Sequence, residues 1–268
     1  MRSIAIIAGG VFRDSIRDRI GYGLVFFSIV LMASSFLLAQ LTAGQDVKVI
    51  KDLGLAAASI IGLLIAVFFG IGLVTKEVER RSIYSLLSKP VTRTQFVVGK
   101  YLGLVLTLLI NLSVMAAAFY AVLWYLDVTT AEASKAAWEA PAMDAQMLKA
   151  FALIGVELML ITATAIFFST FSSPFLSVAL TFAVYIVGHF GEDLKNIDSI
   201  VTSAAVSSVA KAVYYVMPNL SALDVKSAVV HGLPVSGTSM ALATASCLLY
   251  VSTLIVGSIV VFSRRDLK

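Results

Sequence analysis

Hydrophobic and polar positions divide the chain into six long apolar runs separated by polar segments. The runs cover about residues 20–41, 53–74, 101–126, 148–171, 174–190 and 240–262. A membrane-spanning helix needs about 20 predominantly apolar residues, within a range of roughly 17 to 25. The pattern therefore predicts an all-α integral membrane protein with six transmembrane helices, folded as a single domain over residues 1–268.

The first 19 residues have a different pattern of apolar and charged positions from that of the spans. Apolar residues recur at helical spacing, and arginines and aspartates occupy the other positions: Ile4, Ile7, Ala8, Val11, Phe12 and Ile16 against Arg2, Arg13, Asp14, Arg17, Asp18 and Arg19. This pattern is typical of an amphipathic helix lying in the membrane interface, in contact with lipid headgroups. The first apolar run is too long for a signal peptide and no small-residue cleavage pattern follows it, so we expect it to be retained as a span.

Between the second and third spans lies the most charged stretch, residues 75–100, which holds six of the twenty Lys and Arg residues. Each Lys or Arg at the bilayer centre costs roughly 2.5–3.5 kcal/mol, so we expect this segment in water. The second span should continue as a helix until Pro90, which disfavours helical geometry at Lys89. Thr92 and Gln95 then fit a capping box that starts the third span's helix.

The longest connection, residues 191–239, also has a helical pattern. An apolar stripe at a spacing of 3.6 residues runs from Ile197 to Val216, and Pro218 ends it. We therefore expect a partly helical outer loop. It could be an interfacial helix that caps the bundle, an outer gate, or a docking surface for an extracytoplasmic partner.

Composition supports a membrane protein and charge indicates its orientation. The chain is 59% hydrophobic and 13% charged, about half the charged fraction of a soluble domain. With both termini in the cytoplasm, thirteen Lys and Arg residues lie inside and seven outside, where ten Asp and Glu accompany them. The positive-inside rule favours this topology. It also explains the net charge of +4 without nucleic acid as a partner.

The run Glu77 to Lys100, including Leu86-Leu87-Ser88-Lys89-Pro90-Val91-Thr92-Arg93 and Gly99-Lys100, resembles the cytoplasmic segment of ABC-2 type transporter permeases. It is most similar to the small permeases of multicopper-enzyme maturation and export. The resemblance implies a coupling helix that rests on a separate ATPase subunit, which would hold the ATP and Mg²⁺. The residues expected at that contact are Glu77, Glu79, Arg80, Arg81, Tyr84, Lys89, Pro90 and Arg93. It also implies a homodimer or heterodimer of permease copies in the bacterial cytoplasmic (inner) membrane.

Glu157 is the one ionisable residue well inside a predicted span. A carboxylate there is expensive unless it faces a polar cavity or partner, so a role in substrate passage or gating stands beside a purely structural hydrogen bond. His189 and His231 are too isolated to predict a metal site, and Cys247 fits a buried apolar position.

The sequence contains no P-loop, nucleophile elbow or HExxH motif, so we predict neither catalysis nor a cofactor on this chain. We expect a permease subunit of an ABC exporter. The alternatives are a membrane anchor or assembly factor for an extracytoplasmic protein, and a secondary transporter, although no inverted repeat with paired broken helices is evident.

Overall fold

The computed structural model describes residues 2–39, 46–79, 92–136, 138, 140–197 and 204–264. Over these ranges the protein is helical and contains no strand. The α-helices are α1 (Arg2–Ile16), α2 (Arg19–Ala39), α3 (Asp46–Glu79), α4 (Arg93–Thr129), α5 (Glu132–Lys135), α6 (Gln146–Ser169), α7 (Pro174–His189), α8 (Gly191–Lys195), α9 (Ala204–Val216), α10 (Lys226–Val230) and α11 (Gly237–Arg264).

Five of these helices, α2, α3, α4, α6 and α11, are long and apolar enough to cross a membrane. They match five of the predicted spans. Helix α7 is apolar but has only 16 residues, which gives a length of about 24 Å at 1.5 Å per residue. The sixth crossing, and with it the six-span topology, stays a prediction.

Helix α3 begins earlier than the predicted span. Residues 46–52 were expected in a connection, but Asp46 opens α3 and Lys51 is fully buried. The ammonium of Lys51 donates a 2.8 Å hydrogen bond to the carbonyl oxygen of Pro141. A buried lysine is tolerated when its charged end reaches a hydrogen-bond acceptor. This acceptor lies ninety residues further along the chain, so the local sequence pattern could not predict the contact.

The bundle is built around α3 and α6, which pack against each other and are far more buried than α2 and α11. Small residues allow the close approach. A Cβ at Gly62 would stand 2.6 Å from Leu158, and one at Gly70 would stand 2.8 Å from Ala165. Helices in lipid gain from such close packing because the bilayer supplies no hydrophobic driving force between them.

Helix α1 packs along the first turns of α4. Gly99 and Gly103 of α4 face it, and a Cβ at either would stand 2.8 Å from the Cβ of Ile7 or Val11 respectively. Val11 is buried, whereas Ile6 on the other side is 74% exposed. The predicted N-terminal amphipathic helix is confirmed as a helix, and its apolar stripe packs against α4 through Ile7 and Val11.

The predicted helix before Pro218 is described from Ala204 to Val216, and residues 198–203 of it lie outside the described part. The chain that follows, residues 217–235, we call the 217–235 segment. Its apolar residues Leu220, Leu223, Val229 and Val230 are at most 3% exposed. Leu220 N donates a 3.0 Å hydrogen bond to the carbonyl oxygen of Gly188, at the end of α7. The segment is thus folded into the bundle against α3 and α6.

Candidate functional site

Glu157 lies at the middle of α6 and is 2% exposed, as expected for a carboxylate within the bundle. Its Oε1 atom stands 3.4 Å from Nε2 of His189, at the end of α7. Neither of these two atoms has a hydrogen-bond partner among the described residues. The predicted intramembrane carboxylate therefore faces a histidine of the neighbouring helix.

The other ring nitrogen of His189 is held by its own helix. Nδ1 lies 3.0 Å from the carbonyl oxygen of Tyr185, one turn earlier in α7. The rings of Tyr185 and His189 are 4.5 Å apart between centroids. These two contacts fix the imidazole so that Nε2 points towards Glu157.

A lysine from the 217–235 segment completes the cluster. Lys226 Nζ lies 3.2 Å from Oγ of Ser59, which is on α3 and 4% exposed, and 3.4 Å from Oδ2 of Asp224. Lys226, Asp224 and His189 are among the ionisable groups that interact electrostatically with Glu157. We call Ser59, Glu157, His189, Asp224 and Lys226 the polar cluster; it joins α3, α6, α7 and the segment.

Sequence analysis identified Glu157 but not its partners. His189 was considered only as a metal ligand, and no group of three or more His, Cys, Asp or Glu residues in the described ranges could hold a metal ion. A comparison of depths along the two helices could have identified His189 as the partner of Glu157. Glu157 is about 18 Å along α6 from Ser169, and His189 is about 22 Å along α7 from Pro174, so a short turn between the two helices sets them at similar depth.

A second candidate region lies at the other end of the bundle, where residues 76–100 were predicted to contact an ATPase. Glu77 and Glu79 belong to the last turns of α3, although the structure describes only their backbone. The remaining predicted contact residues before Arg93 lie outside the described part of the chain: Arg80, Arg81, Tyr84, Lys89 and Pro90. The helical extension of α3 beyond Glu79 stays a prediction.

The capping box that starts α4 is confirmed. Gln95 N donates to Oγ1 of Thr92, and Thr92 N donates to Oε1 of Gln95, both at 3.3 Å. Two backbone N–H groups at the helix start, which have no partner within the helix, are satisfied reciprocally. The third span's helix thus has a defined first residue, Arg93, directly after the charged segment.

The side chain of Arg93 is directed towards the end of α11. Its Nη1 atom donates to the carbonyl oxygens of Phe262 at 2.9 Å and Ser263 at 2.8 Å. Carbonyls in the last turn of a helix have no partner within it and carry the negative end of the helix dipole, so a guanidinium is a favourable partner. The rings of Phe96 and Phe262 stack 5.8 Å apart between centroids. The first turn of α4 is therefore fastened to the last turn of α11.

Lys100 lies one turn after Phe96 and is 2% exposed, with its ammonium 4.5 Å from the centre of the Phe96 ring. A cation over an aromatic face is attracted by the ring quadrupole. Lys100, the last residue of the stretch that was expected in water, is therefore buried in the structure. We call Thr92, Arg93, Gln95, Phe96 and Phe262 the α4–α11 clamp.

Five membrane-length apolar helices with a polar cluster inside the bundle define a multi-pass membrane protein. The family model described as ABC-2 family transporter protein matches residues 5–267, nearly the whole chain, so the chain belongs to this family of membrane transport components. No curated protein matches it.

Proposed function

We propose that the protein is the transmembrane permease subunit of an ABC exporter in the bacterial cytoplasmic membrane. Two copies would form the translocation path, and separate ATPase subunits would bind residues 76–100. Family membership over residues 5–267 supports the permease role. The sequence has no P-loop for ATP, so the nucleotide and Mg²⁺ would lie on the partner.

The observation that carries the coupling proposal is the α4–α11 clamp. The charged segment connects directly to the last turn of α3 and the first turn of α4, and Arg93 joins that turn to Phe262 and Ser263 of α11. Displacement of the segment by an ATPase would thus reach three spans together. Helix α1 packs on the same turns of α4 through Gly99 and Gly103 and would move with them.

The polar cluster is the candidate site on the translocation path. Ionisable groups within a membrane bundle are rare and usually face a path or a partner. Glu157 and His189 lie between α6, α7 and the 217–235 segment, which connects to α11. We propose that this segment closes the path on the extracytoplasmic side, with both termini in the cytoplasm.

Charge reversal at the predicted ATPase contact tests the proposal. The tagged chain would be co-expressed with candidate ATPase subunits, purified in mild detergent and weighed by native mass spectrometry. We expect two copies bound to two ATPase subunits. The double variant Glu79→Arg with Arg80→Glu should lose the ATPase while still inserting into the membrane.

The matched control is the double variant Glu132→Lys with Lys135→Glu. These residues form an ion pair with an N–O distance of 2.8 Å, so exchanging them reverses one acidic and one basic residue away from the contact, as the test variant does at it. This control should retain the ATPase. If both double variants retain it, the contact assignment is wrong.

Transport assays separate the remaining alternatives. Vectorial export from liposomes that depends on ATP and on the ATPase subunit supports the exporter. ATP hydrolysis with an assembled complex but no transported substrate would favour the anchor or assembly role. Transport by the chain alone, driven by an ion gradient, would favour a secondary transporter.

A further inference from the structure

We propose that Glu157 and His189 together form a proton-binding site inside the bundle, and that its proton controls how tightly Lys226 holds the 217–235 segment. The ligand is the proton itself. This inference goes beyond the export function, because it concerns the purified chain and needs no ATPase or substrate to be tested.

The first step is the position of hydrogen on the imidazole. Nδ1 of His189 lies 3.0 Å from the carbonyl oxygen of Tyr185. A carbonyl oxygen only accepts hydrogen bonds, so Nδ1 must be the donor and carry a hydrogen. In a neutral imidazole only one ring nitrogen is protonated, which leaves Nε2 with a lone pair directed towards Glu157.

The second step is the contact between the two side chains. An ionised carboxylate is also only an acceptor, so a neutral imidazole would present its lone pair to Oε1 of Glu157 across 3.4 Å. Neither atom has another hydrogen-bond partner in the ranges that the structure describes. Two unsatisfied acceptors facing each other in a buried place are costly.

A single proton between the two atoms removes this conflict. It can reside on the carboxyl group, which then donates to Nε2, or on Nε2, which then donates to the carboxylate. In both arrangements the pair has no net charge. Losing that proton to water leaves the pair with one negative charge in a site where Glu157 is 2% exposed.

The third step concerns the neighbours that respond to this charge. The 217–235 segment contributes Lys226 and Asp224, and Tyr185 of α7 and Cys247 of α11 also interact electrostatically with Glu157. From α3 the neighbour is the uncharged Ser59, whose Oγ accepts from Lys226. Lys226 is thus the cation that a newly negative pair attracts most directly.

Proton loss therefore strengthens the hold of Lys226, and proton uptake weakens it. Interactions between charges a few ångströms apart are several-fold stronger at a partly buried site than in bulk water. The segment remains seated by Leu220, Leu223, Val229 and Val230, so the proton adjusts its stability instead of creating it.

Nuclear magnetic resonance of the histidine rings tests the proton site. The chain has only two histidines, so ¹⁵N labelling of their rings in the full chain, embedded in lipid nanodiscs, gives a simple spectrum. Spectra would be taken between about pH 5 and 8. We expect Nδ1 of His189 to remain protonated throughout, while Nε2 reports a proton shared with Glu157.

His231 supplies the matched control. Its Nδ1 also contacts a backbone carbonyl, that of Ser227 at 2.9 Å, but it is exposed. The variant His231→Gln assigns the signals. The variant Glu157→Gln should change the pH response of Nε2 in His189 and leave His231 as it was. An Nδ1 without hydrogen at His189, or an unchanged response in Glu157→Gln, would overturn the proposal.

Hydrogen exchange tests the link to the segment. After correction for the intrinsic pH dependence of amide exchange, backbone exchange in residues 217–235 should slow roughly tenfold across that pH range in the unmodified protein. Glu157→Gln and Lys226→Met should each abolish this change, and His231→Gln should keep it. If Glu157→Gln does not fold, His189→Gln serves in its place. A pH response that survives in Lys226→Met would show that Lys226 is not the link.

Discussion

The α4–α11 clamp and the polar cluster use charged side chains in opposite ways. In the clamp, Arg93 satisfies backbone carbonyls that would otherwise lack partners at a helix end. In the cluster, Glu157 is buried and His189 is half-buried, and their facing atoms Oε1 and Nε2 lack hydrogen-bond partners among the described residues. The first arrangement stabilises the fold. The second costs free energy unless a proton is shared between the two groups, as proposed above.

Arg93→Ala should have the largest effect on stability. Hydrogen bonds from charged donors contribute about 1.5–3 kcal/mol, and the variant removes two of them from the last turn of α11. We expect a loss of about 2–3 kcal/mol, together with reduced transport per ATP hydrolysed. Thermal unfolding in detergent measures the first effect, and a liposome assay measures the second.

Arg93→Lys is the informative companion to this variant. It keeps the charge but loses the planar group that reaches both carbonyls, so it should recover part of the stability. An Arg93→Ala protein as stable as the unmodified one would mean that the clamp contributes nothing to holding α4 and α11 together.

Thr92→Ala should have an intermediate effect. It removes the side chain that accepts from Gln95 N, and loss of such a cap costs about 1 kcal/mol. Thr94→Ala, at an exposed position in the first turn of the same helix, is the matched control and should change little. Equal thermal shifts for the two variants would contradict a specific role for the capping box.

Replacing Glu157 and His189 together by leucine should leave stability unchanged or slightly higher. Apolar residues in place of a buried polar pair are often neutral or stabilising, because no desolvated charge remains. The double variant should nevertheless lose the pH response of residues 217–235 in hydrogen exchange. A large drop in the melting temperature would instead indicate that the pair is a structural element of the bundle.

Lys135→Ala should have the smallest effect. Its ammonium contacts Glu132 at 2.8 Å and Asp127 at 3.3 Å, and the hydrogen bond to Glu132 is the main cause that raises the pKa of Lys135. A lysine whose pKa is raised in the folded state stabilises the protein at pH values below the ordinary lysine pKa. This stabilisation is lost as the pH rises through the folded-state pKa. The ion pair should therefore persist at neutral pH. Because surface ion pairs contribute little, the thermal melts of Lys135→Ala and the unmodified protein at pH 7 should barely differ.

The sequence predicted the α4–α11 clamp better than the polar cluster because part of the clamp is determined by residues close together in the chain. Thr92 and Gln95 are three residues apart, so the sequence alone predicts their capping box. The partners of Arg93, Phe262 and Ser263, are far along the chain and were not. The lengths of the apolar runs predicted the long helices. The exception is the start of α3, which lies earlier than predicted because Lys51 reaches a distant acceptor, the carbonyl oxygen of Pro141.

For the cluster, sequence supplied only the carboxylate. An ionisable residue in an apolar run is visible by itself, but the position of Lys226 depends on how the 217–235 segment folds back onto α3. That fold rests on scattered contacts of Leu220, Leu223 and Val229, which have no short-range signature. Tertiary packing therefore decided which charges meet.

The shortness of α7 bears on the surrounding lipid. A helix of 16 residues is about 6 Å shorter than a hydrocarbon core of about 30 Å. If α7 crosses the membrane as predicted, local thinning of the bilayer beside it would relieve the hydrophobic mismatch. His189, its last residue, would then lie close to a dip in the membrane surface, where water can reach the imidazole. Bilayers of shorter-chain lipids should accommodate this flank with the least distortion.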